Sequence, residues 1–299
     1  GGGGIEGWYR EMVACGQAKL RAYGQYVGRR YAGFTNILWV HGGDFNPPRK
    51  DIVRAIAEGI REHDTRSLNT AHCGRDTAAL DHWSGEAWLQ LDTVYTYEPV
   101  HAAAMAYARG EAMPFFLIES AYEDEHSAGE RRVRAQAYRA LLSGACGQVY
   151  GNNPVWHFDG PGLFPAPMPW QQALGSRGAQ SMTHLRALFE ALPWWRLQPI
   201  DITALLAEPG TGQERAVAAC LPDKTLAAIY LPTPRRIGID LGRLAGREVR
   251  ARWYDPAAGR FSAVAGSPFA REGSRLFEPD APGSAAAGDR VLLLESGLA

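Results

Sequence analysis

Residues 36–48 read NILWVHGGDFNPP, and the position of Asp44 in that stretch decides the fold class. Ile37, Leu38, Trp39 and Val40 form an unbroken apolar run, the pattern of a short strand buried on both faces of a parallel sheet. Gly42 and Gly43 then let the backbone leave the strand sharply, and Asp44 follows. Residues 114–126, PFFLIESAYEDEH, repeat the arrangement: Phe115, Phe116, Leu117 and Ile118 run directly into Glu119. In alternating β/α architectures the C-terminal ends of parallel strands form the mouth where catalytic side chains from different strands converge. Two carboxylates delivered there fit glycoside hydrolysis, in which one donates a proton and the other acts as nucleophile or base.

The surrounding chain keeps the same rhythm. Apolar residues recur at helical spacing over residues 8–31, and a strand follows at 36–40. Asn46 before Pro47 and Pro48 reads as the N-cap of a helix running through Ile52, Ile56 and Ile60. Strands are expected at 68–73, 92–97 and 115–118, with a further strand-like segment at Gln148, Val149 and Tyr150. Helices are expected at 101–109, 130–143 and, unbroken, 173–192. Strands separated by helices at this spacing predict a parallel sheet with right-handed crossovers. From about residue 201 helix signals give way to short β-type runs at 216–221, 226–231, 249–254 and 290–294, divided by turn formers. A division into residues 1–200, a β/α catalytic domain, and 201–299, a small all-β sandwich with an accessory role, follows.

Composition narrows the function. Lysine plus arginine number 31 against 32 aspartate plus glutamate, which leaves no bias toward nucleic acid as a partner. No run approaches the roughly 20 apolar residues of a membrane helix, so no membrane partner is expected. Cys15, Cys73, Cys146 and Cys220 are too scattered for a zinc motif, and Cys73 and Cys146 read as buried free thiols. His41, His72, His101, His126 and His157 show neither HxH nor HExxH spacing, so neither metal nor other cofactor is expected. No GxSxG elbow, GxGxxG turn or Walker loop occurs. The chain opens on Gly1 to Gly4 with no Met or leader, as a processed or truncated product does, which leaves compartment open along with oligomeric state.

Asp44 and Glu119 are the candidate catalytic pair, with Glu98 the substitute for Asp44 and with Glu123 and Glu125 as spare carboxylates. An apolar surrounding and the nearby charge of Glu119 are expected to keep Asp44 protonated. Trp39, Tyr95, Tyr97, Tyr122, Trp156 and Phe158 lie near the strand ends, and aromatic planes there suit the C–H faces of a sugar. His41 and His157 read as hydrogen-bonding groups beside the carboxylates. The expected substrate contacts are His41, Asn46, Tyr95, Tyr97, Glu98, Tyr122, Trp156 and His157.

The segments NILWVHGGDFNP, VYTYEPVH, FFLIESAYEDEH, RVRAQAYRALLSGACGQVYGNNPVWHF and HLRALFEALPWW together resemble the apiosidase-like glycoside hydrolases, over roughly residues 17–198. YLPTPRRIGIDLGRL and ARWYDPAAGRF resemble a module, the proposed collagen-binding domain, that often follows that catalytic domain. The resemblance implies a (β/α)8 TIM-type barrel with the acid/base after the fourth strand and the nucleophile after the seventh. Matching the motifs makes Asp44 the acid/base and Glu119 the nucleophile of a retaining enzyme. On this resemblance it is expected to act on a terminal or side-chain bond of a plant or microbial polysaccharide, outside the cell or in the periplasm. Counted from the Asp44 strand, the chain holds about five β/α units, so the first three of the barrel are expected to be missing. Two other functions fit the residues: a non-catalytic carbohydrate-binding or adhesion protein, and a metal-dependent barrel hydrolase using the histidines.

Overall fold

A computed structural model of the chain describes residues 7–101, 104, 113–160, 164–206, 208–279 and 288–297. Two units separate: Gly1–Thr96 with Glu111–Ile118, and Tyr97–Gly110 with Glu119–Ala299.

In the first unit α1 (Tyr9–Tyr31) precedes β1 (Leu38–Gly42), α2 (Lys50–Arg61) and β2 (Leu68–His72). β1 and β2 pair in parallel, Leu38 opposite Leu68 and Gly42 opposite His72. α1 and α2 touch backbone to backbone. A Cβ on Gly24 would lie 2.3 Å from the Ile56 carbonyl oxygen, and one on Gly59 2.3 Å from that of Arg21, so only glycine permits the approach. α2 turns Ile52, Val53, Ala57 and Ile60 inward, and Val53 and Ala57 pack with Ala71 and Cys73 in the core behind the strands.

Three expectations change here. The apolar run of β1 is not buried on both faces: Leu38, Val40 and, on β2, Leu68 are 39, 43 and 45% exposed. Strand side chains alternate, so one face meets the helix layer while the other lies at the surface of the described residues. α2 opens at Lys50 after Arg49, so Asn46 is not its cap and Pro47 and Pro48 belong to the preceding loop. The strand expected over residues 92–97 is shorter, β3 (Asp92–Tyr95), and is buried throughout. The Asp92 carboxylate accepts the N–H groups of Leu80, in α3 (Ala79–Trp83), and of Thr93, at 2.9 and 2.8 Å. β3 pairs with β4 (Phe115–Glu119). The helix expected over residues 101–109 lies, residues 101 and 104 apart, outside the described residues.

The second unit carries α4 (Glu130–Leu142), close to its expected bounds. Gln148, Val149 and Tyr150 form no strand, and Val149 is exposed. The long helix expected over 173–192 is two, α5 (Trp170–Ala173) and α6 (Arg177–Glu190). Ser176 interrupts it by accepting the Ala179 N–H at 3.2 Å while the Glu123 carboxylate takes that of Gly178 at 2.8 Å. Two acceptors outside the helix satisfy its first donors, and the turn restarts there.

The remainder is sheet-rich: β5 (Gln198–Pro199), β6 (Val217–Cys220), β7 (Leu226–Leu231), β8 (Ile237–Asp240), β9 (Glu248–Asp255), β10 (Arg260–Ala263), β11 (Phe269–Ala270), β12 (Ser274–Phe277) and β13 (Arg290–Ser296). Seven of these form one antiparallel sheet in the order β10-β9-β13-β7-β6-β5, with β11 on β9, while β8 pairs with β12. One face of the large sheet packs on Ile202, Leu206, Ile239 and Phe277. On the other face Val217, Ala228, Tyr230 and Leu293 pack against Tyr138 and Leu142 of α4 and Leu185 and Phe189 of α6. The Tyr138 and Tyr230 rings stack at 5.0 Å. Arg134 of α4 donates to Asp289 at 2.7 Å, and the Tyr230 hydroxyl donates to the same carboxylate at 2.9 Å, all inside the protein.

Burial pushes the Cys73 thiol up to about 11, as a core cysteine requires. Cys146, expected to be buried, is exposed because the segment that follows is not a strand. No helix among the described residues is long and apolar enough to cross a membrane.

Candidate active site

At the C-terminal end of β1 the backbone holds three consecutive positive φ angles: Gly42 at 94°, Gly43 at 152° and Asp44 at 51°. The first two suit glycine. The third places an aspartate in the sparsely populated left-handed region, a conformation found disproportionately at functional sites. The Gly43 N–H donates to the His72 carbonyl at 3.1 Å, which ties this bend to the end of β2. Asp44 Oδ1 lies 3.3 Å from His72 Nε2, and the His72 ring meets Tyr95, at the end of β3, edge-on at 5.2 Å. Asp44, His72 and Tyr95 therefore mark the ends of three successive strands. Asp44 is not in an apolar surrounding, however. Its side chain is 46% exposed and its neighbour is an imidazole, because the glycine pair swings the chain out of the sheet before the carboxylate is reached.

Asn46 lies just beyond. Its Oδ1 accepts the Gly74 N–H at 2.8 Å and its Nδ2 donates to Thr77 Oγ1 at 3.1 Å, so it joins the loops that follow β1 and β2. A side chain so engaged positions the loop.

His41 is not at the strand ends. It projects into the helix-facing layer, where Nε2 lies 2.9 Å from Asn69 Oδ1 and the ring sits edge-on to Trp88 at 5.0 Å. Burial pushes its pKa below the usual histidine value, opposed by the Asn69 hydrogen bond. The two-residue period of the strand, not distance along the chain, takes it away from Asp44. Trp39 shares that face, and its Nε1 donates at 2.9 Å to Asp64, in the turn entering β2 rather than at the exit.

In the second unit Glu119 closes β4, half-buried. The segment after it is anchored: Gln136 of α4 donates to the Ala121 carbonyl at 2.7 Å. The Tyr122 ring lies flat over Gly151, where an added Cβ would sit 2.5 Å from it, and meets Trp156 edge-on at 6.4 Å. Trp156 is half exposed, its Nε1 donating to Glu125 at 2.5 Å. His157 is buried against it, with Nε2 2.6 Å from Asn153 Oδ1. Tyr122, Trp156 and His157 thus form one cluster. Phe158 is exposed and rests instead on Trp170. Tyr97 is half-buried, its carbonyl accepting from Arg132 at 3.1 Å, and Glu98 is exposed in the same turn.

Sequence reasoning named Glu123 only as a spare carboxylate. Its carboxylate is buried and accepts from Ser176 Oγ at 2.6 Å, Asn152 Nδ2 at 3.1 Å, the Gly178 N–H and the Tyr150 hydroxyl. Burial and that carboxylate push the Tyr150 phenol well above its ordinary pKa. A Cβ on Gly178 would meet Glu123 Oε2 at 2.4 Å, so the glycine makes room for it. Glu123 caps α6 and fixes the loop carrying Tyr122, and in sequence it was one of three acidic residues in a four-residue stretch.

A family model described as the apiosidase-like catalytic domain matches residues 3–196, and one described as a proposed collagen-binding domain of a collagenase matches residues 201–295. Among solved structures, one described as a glycoside hydrolase superposes with a TM-score of 0.83 at 23% identity, covering 94% of this chain and 69% of that one. A glycoside hydrolase family 5 protein from Bacteroides vulgatus ATCC 8482 gives the same score, identity and coverage of this chain, with 67% of its own length covered. A family 27 β-L-arabinopyranosidase from Geobacillus stearothermophilus, complexed with arabinose, superposes at 0.51 with 9% identity, covering 93% and 62%. Comparison with curated proteins finds no match. The fold is of the TIM-barrel type seen in glycoside hydrolases, followed by a sheet-rich module.

Proposed function

The chain belongs to the apiosidase-like glycoside hydrolase family, and from that premise we propose that it cleaves a terminal or side-chain glycosidic bond of a polysaccharide with retention of configuration. The observation that carries the assignment of residues is Asp44, held in a left-handed conformation two residues past the end of β1 and 3.3 Å from His72. In this reading Asp44 is the acid/base and Glu119, the last residue of β4, the nucleophile. A Glu119 carboxylate oxygen bonds to the anomeric carbon while the carbon–oxygen bond to the leaving group breaks. The electron pair of that bond stays on the oxygen, which takes the Asp44 proton. Water, deprotonated by Asp44, then releases the sugar from Glu119. Tyr95, Tyr122, Trp156 and His157 supply contacts to the ring and its hydroxyls.

Exposed Leu38, Val40 and Leu68 support a further part of the reading: they belong to the inner wall of a barrel whose first three β/α units are absent from this chain. The matches at 3–196 and 201–295 support a division near residue 200 between catalytic and accessory modules. A polymeric substrate is too large to enter a cell, which favours a secreted or periplasmic enzyme.

Asp44→Asn and Glu119→Gln, each checked for folding by circular dichroism, should lower kcat/KM on aryl glycosides by roughly 10²–10⁴-fold. Undiminished turnover in either variant sinks that residue's role. Proton NMR of the first-formed product should show the anomer of the substrate, and a carboxyl separation near 6.5–9.5 Å rather than about 5–5.5 Å would overturn retention.

A further inference from the structure

Next to Asp44 the first unit contains a pocket of about 190 Å³ lined by Trp8, Tyr9, Met12, Phe45 and the backbone of Gly42 and Gly43, with no charged side chain in its wall. Gly43 and Phe45 flank Asp44 in sequence, so the wall reaches the residue on either side of Asp44, whose own carboxylate lies against His72. The Tyr9 and Phe45 rings meet edge to face at 5.2 Å, and the Tyr9 hydroxyl accepts the Arg49 N–H at 3.3 Å, which fixes both rings. Trp8 differs from its neighbours. It is 75% exposed, the highest value among the large apolar side chains described, so its indole is presented to solvent rather than used in packing. Gly42 and Gly43, lacking side chains, leave bare backbone that a ring can approach closely.

We propose that this pocket is the leaving-group subsite, taking a neutral ring on the far side of the scissile bond with its C–H face against Trp8 and Phe45. The inference rests on Asp44 as acid/base. A proton donor must lie within about 2.6–3.2 Å of the oxygen it protonates, and that oxygen departs with the leaving group. The first ring of the leaving group is bonded to that oxygen, so it must sit beside Asp44. Sugar and phenyl rings both present an apolar face that aromatic side chains cover. A wall without cations offers nothing to a carboxylate, so a uronic acid is disfavoured in this position.

The experiment uses the full chain with methyl and phenyl glycosides of whichever sugar is hydrolysed fastest from a panel of 4-nitrophenyl pentosides and hexosides. Affinities are measured by calorimetry alongside hydrolysis. The wild type should bind the phenyl glycoside about tenfold more tightly than the methyl glycoside, one stacked ring's worth. Trp8→Ala should bring the two within about twofold by weakening the phenyl glycoside, and Phe45→Leu, which keeps most of its packing volume, should fall between. A phenyl preference that survives both substitutions overturns the subsite, and if hydrolysis still depends on Asp44 the catalytic reading stands without it. Hydrolysis indifferent to Asp44→Asn, or a chain that neither binds nor cleaves any glycoside, overturns the catalytic reading and the subsite together.

Discussion

β1 of the first unit and β7 of the second carry similar sequences, ILWV entering one and LAAIYL forming the other, yet they end in different surroundings. β7 is buried at every residue, while β1 shows Leu38 and Val40 to solvent. An unbroken apolar run states that both faces of a strand need cover. Whether they receive it depends on elements distant in sequence. For β7 those elements are α4 and α6 on one side and the β8–β12 ribbon with its neighbours on the other. The contrast is one of supply rather than of strand chemistry, and four measurements bear on it.

The largest effect should come from Asp289, which sits between Arg134 and Tyr230 where α4 meets the sheet. Asp289→Ala leaves a buried guanidinium without its partner, at an expected cost of about 3–5 kcal/mol in urea unfolding of the second unit. A loss below about 1 kcal/mol would mean that this contact contributes little to holding the covered face together. Leu292, fully buried in β13, comes next. Leu292→Ala should cost about 2–5 kcal/mol, and a smaller loss would show that the doubly covered sheet is less tightly packed than its burial implies.

The response to acid comes third. Burial first, then the charges of Arg139 and Arg215, hold the pKa of His101 down to about 4. The unfolded chain titrates near 6.5, so between about 6.5 and about 4 it binds a proton that the folded unit refuses. Stability therefore falls as pH drops through that window and levels off below it, by up to about 3 kcal/mol. His101→Gln, followed as melting temperature against pH, should flatten this slope, and an unchanged slope would show that another group carries it. Burial pushes His41 of the first unit in the same direction, so His41→Gln should act with the same sign there. The smallest effect belongs to the open face: Leu38→Ala should change stability by no more than about 0.5 kcal/mol in this chain. A loss of several kcal/mol would show that something covers that face in solution.

Much of the fold was legible. The strand positions followed from apolar runs, and the change of texture near residue 201 marked where β-type structure begins. Boundaries slipped where a polar side chain had two possible jobs. Asn46 looks like a helix cap because it precedes two prolines, but Gly74 and Thr77 claim its amide across the loops. Ser176 and Glu123 break an otherwise continuous helical pattern, and Glu123 lies more than 50 residues upstream of the Gly178 N–H it accepts. His41 is three residues from Asp44, and strand alternation sends it to the helix layer. Among the candidate site residues, Asp44 and Tyr95 stand at strand ends, while Tyr122, Trp156 and His157 come together in the loops that follow β4 and α4. Trp8, Tyr9 and Phe45 escaped notice because their common pocket joins the start of α1 to the loop after β1.

By itself the sequence determined the strands near residues 38, 68, 92 and 115, that Asp44 and Glu119 follow strands at their downstream ends, and the family to which the chain belongs. Those properties are local, written in side-chain period, glycine placement and motif. Only the tertiary structure decided which faces are covered, which polar groups are consumed in holding loops, and that Asp44 stands half exposed beside His72. Burial and hydrogen-bond partnership are properties of pairs of segments far apart in the chain, and one segment's composition states its need for a partner without naming it.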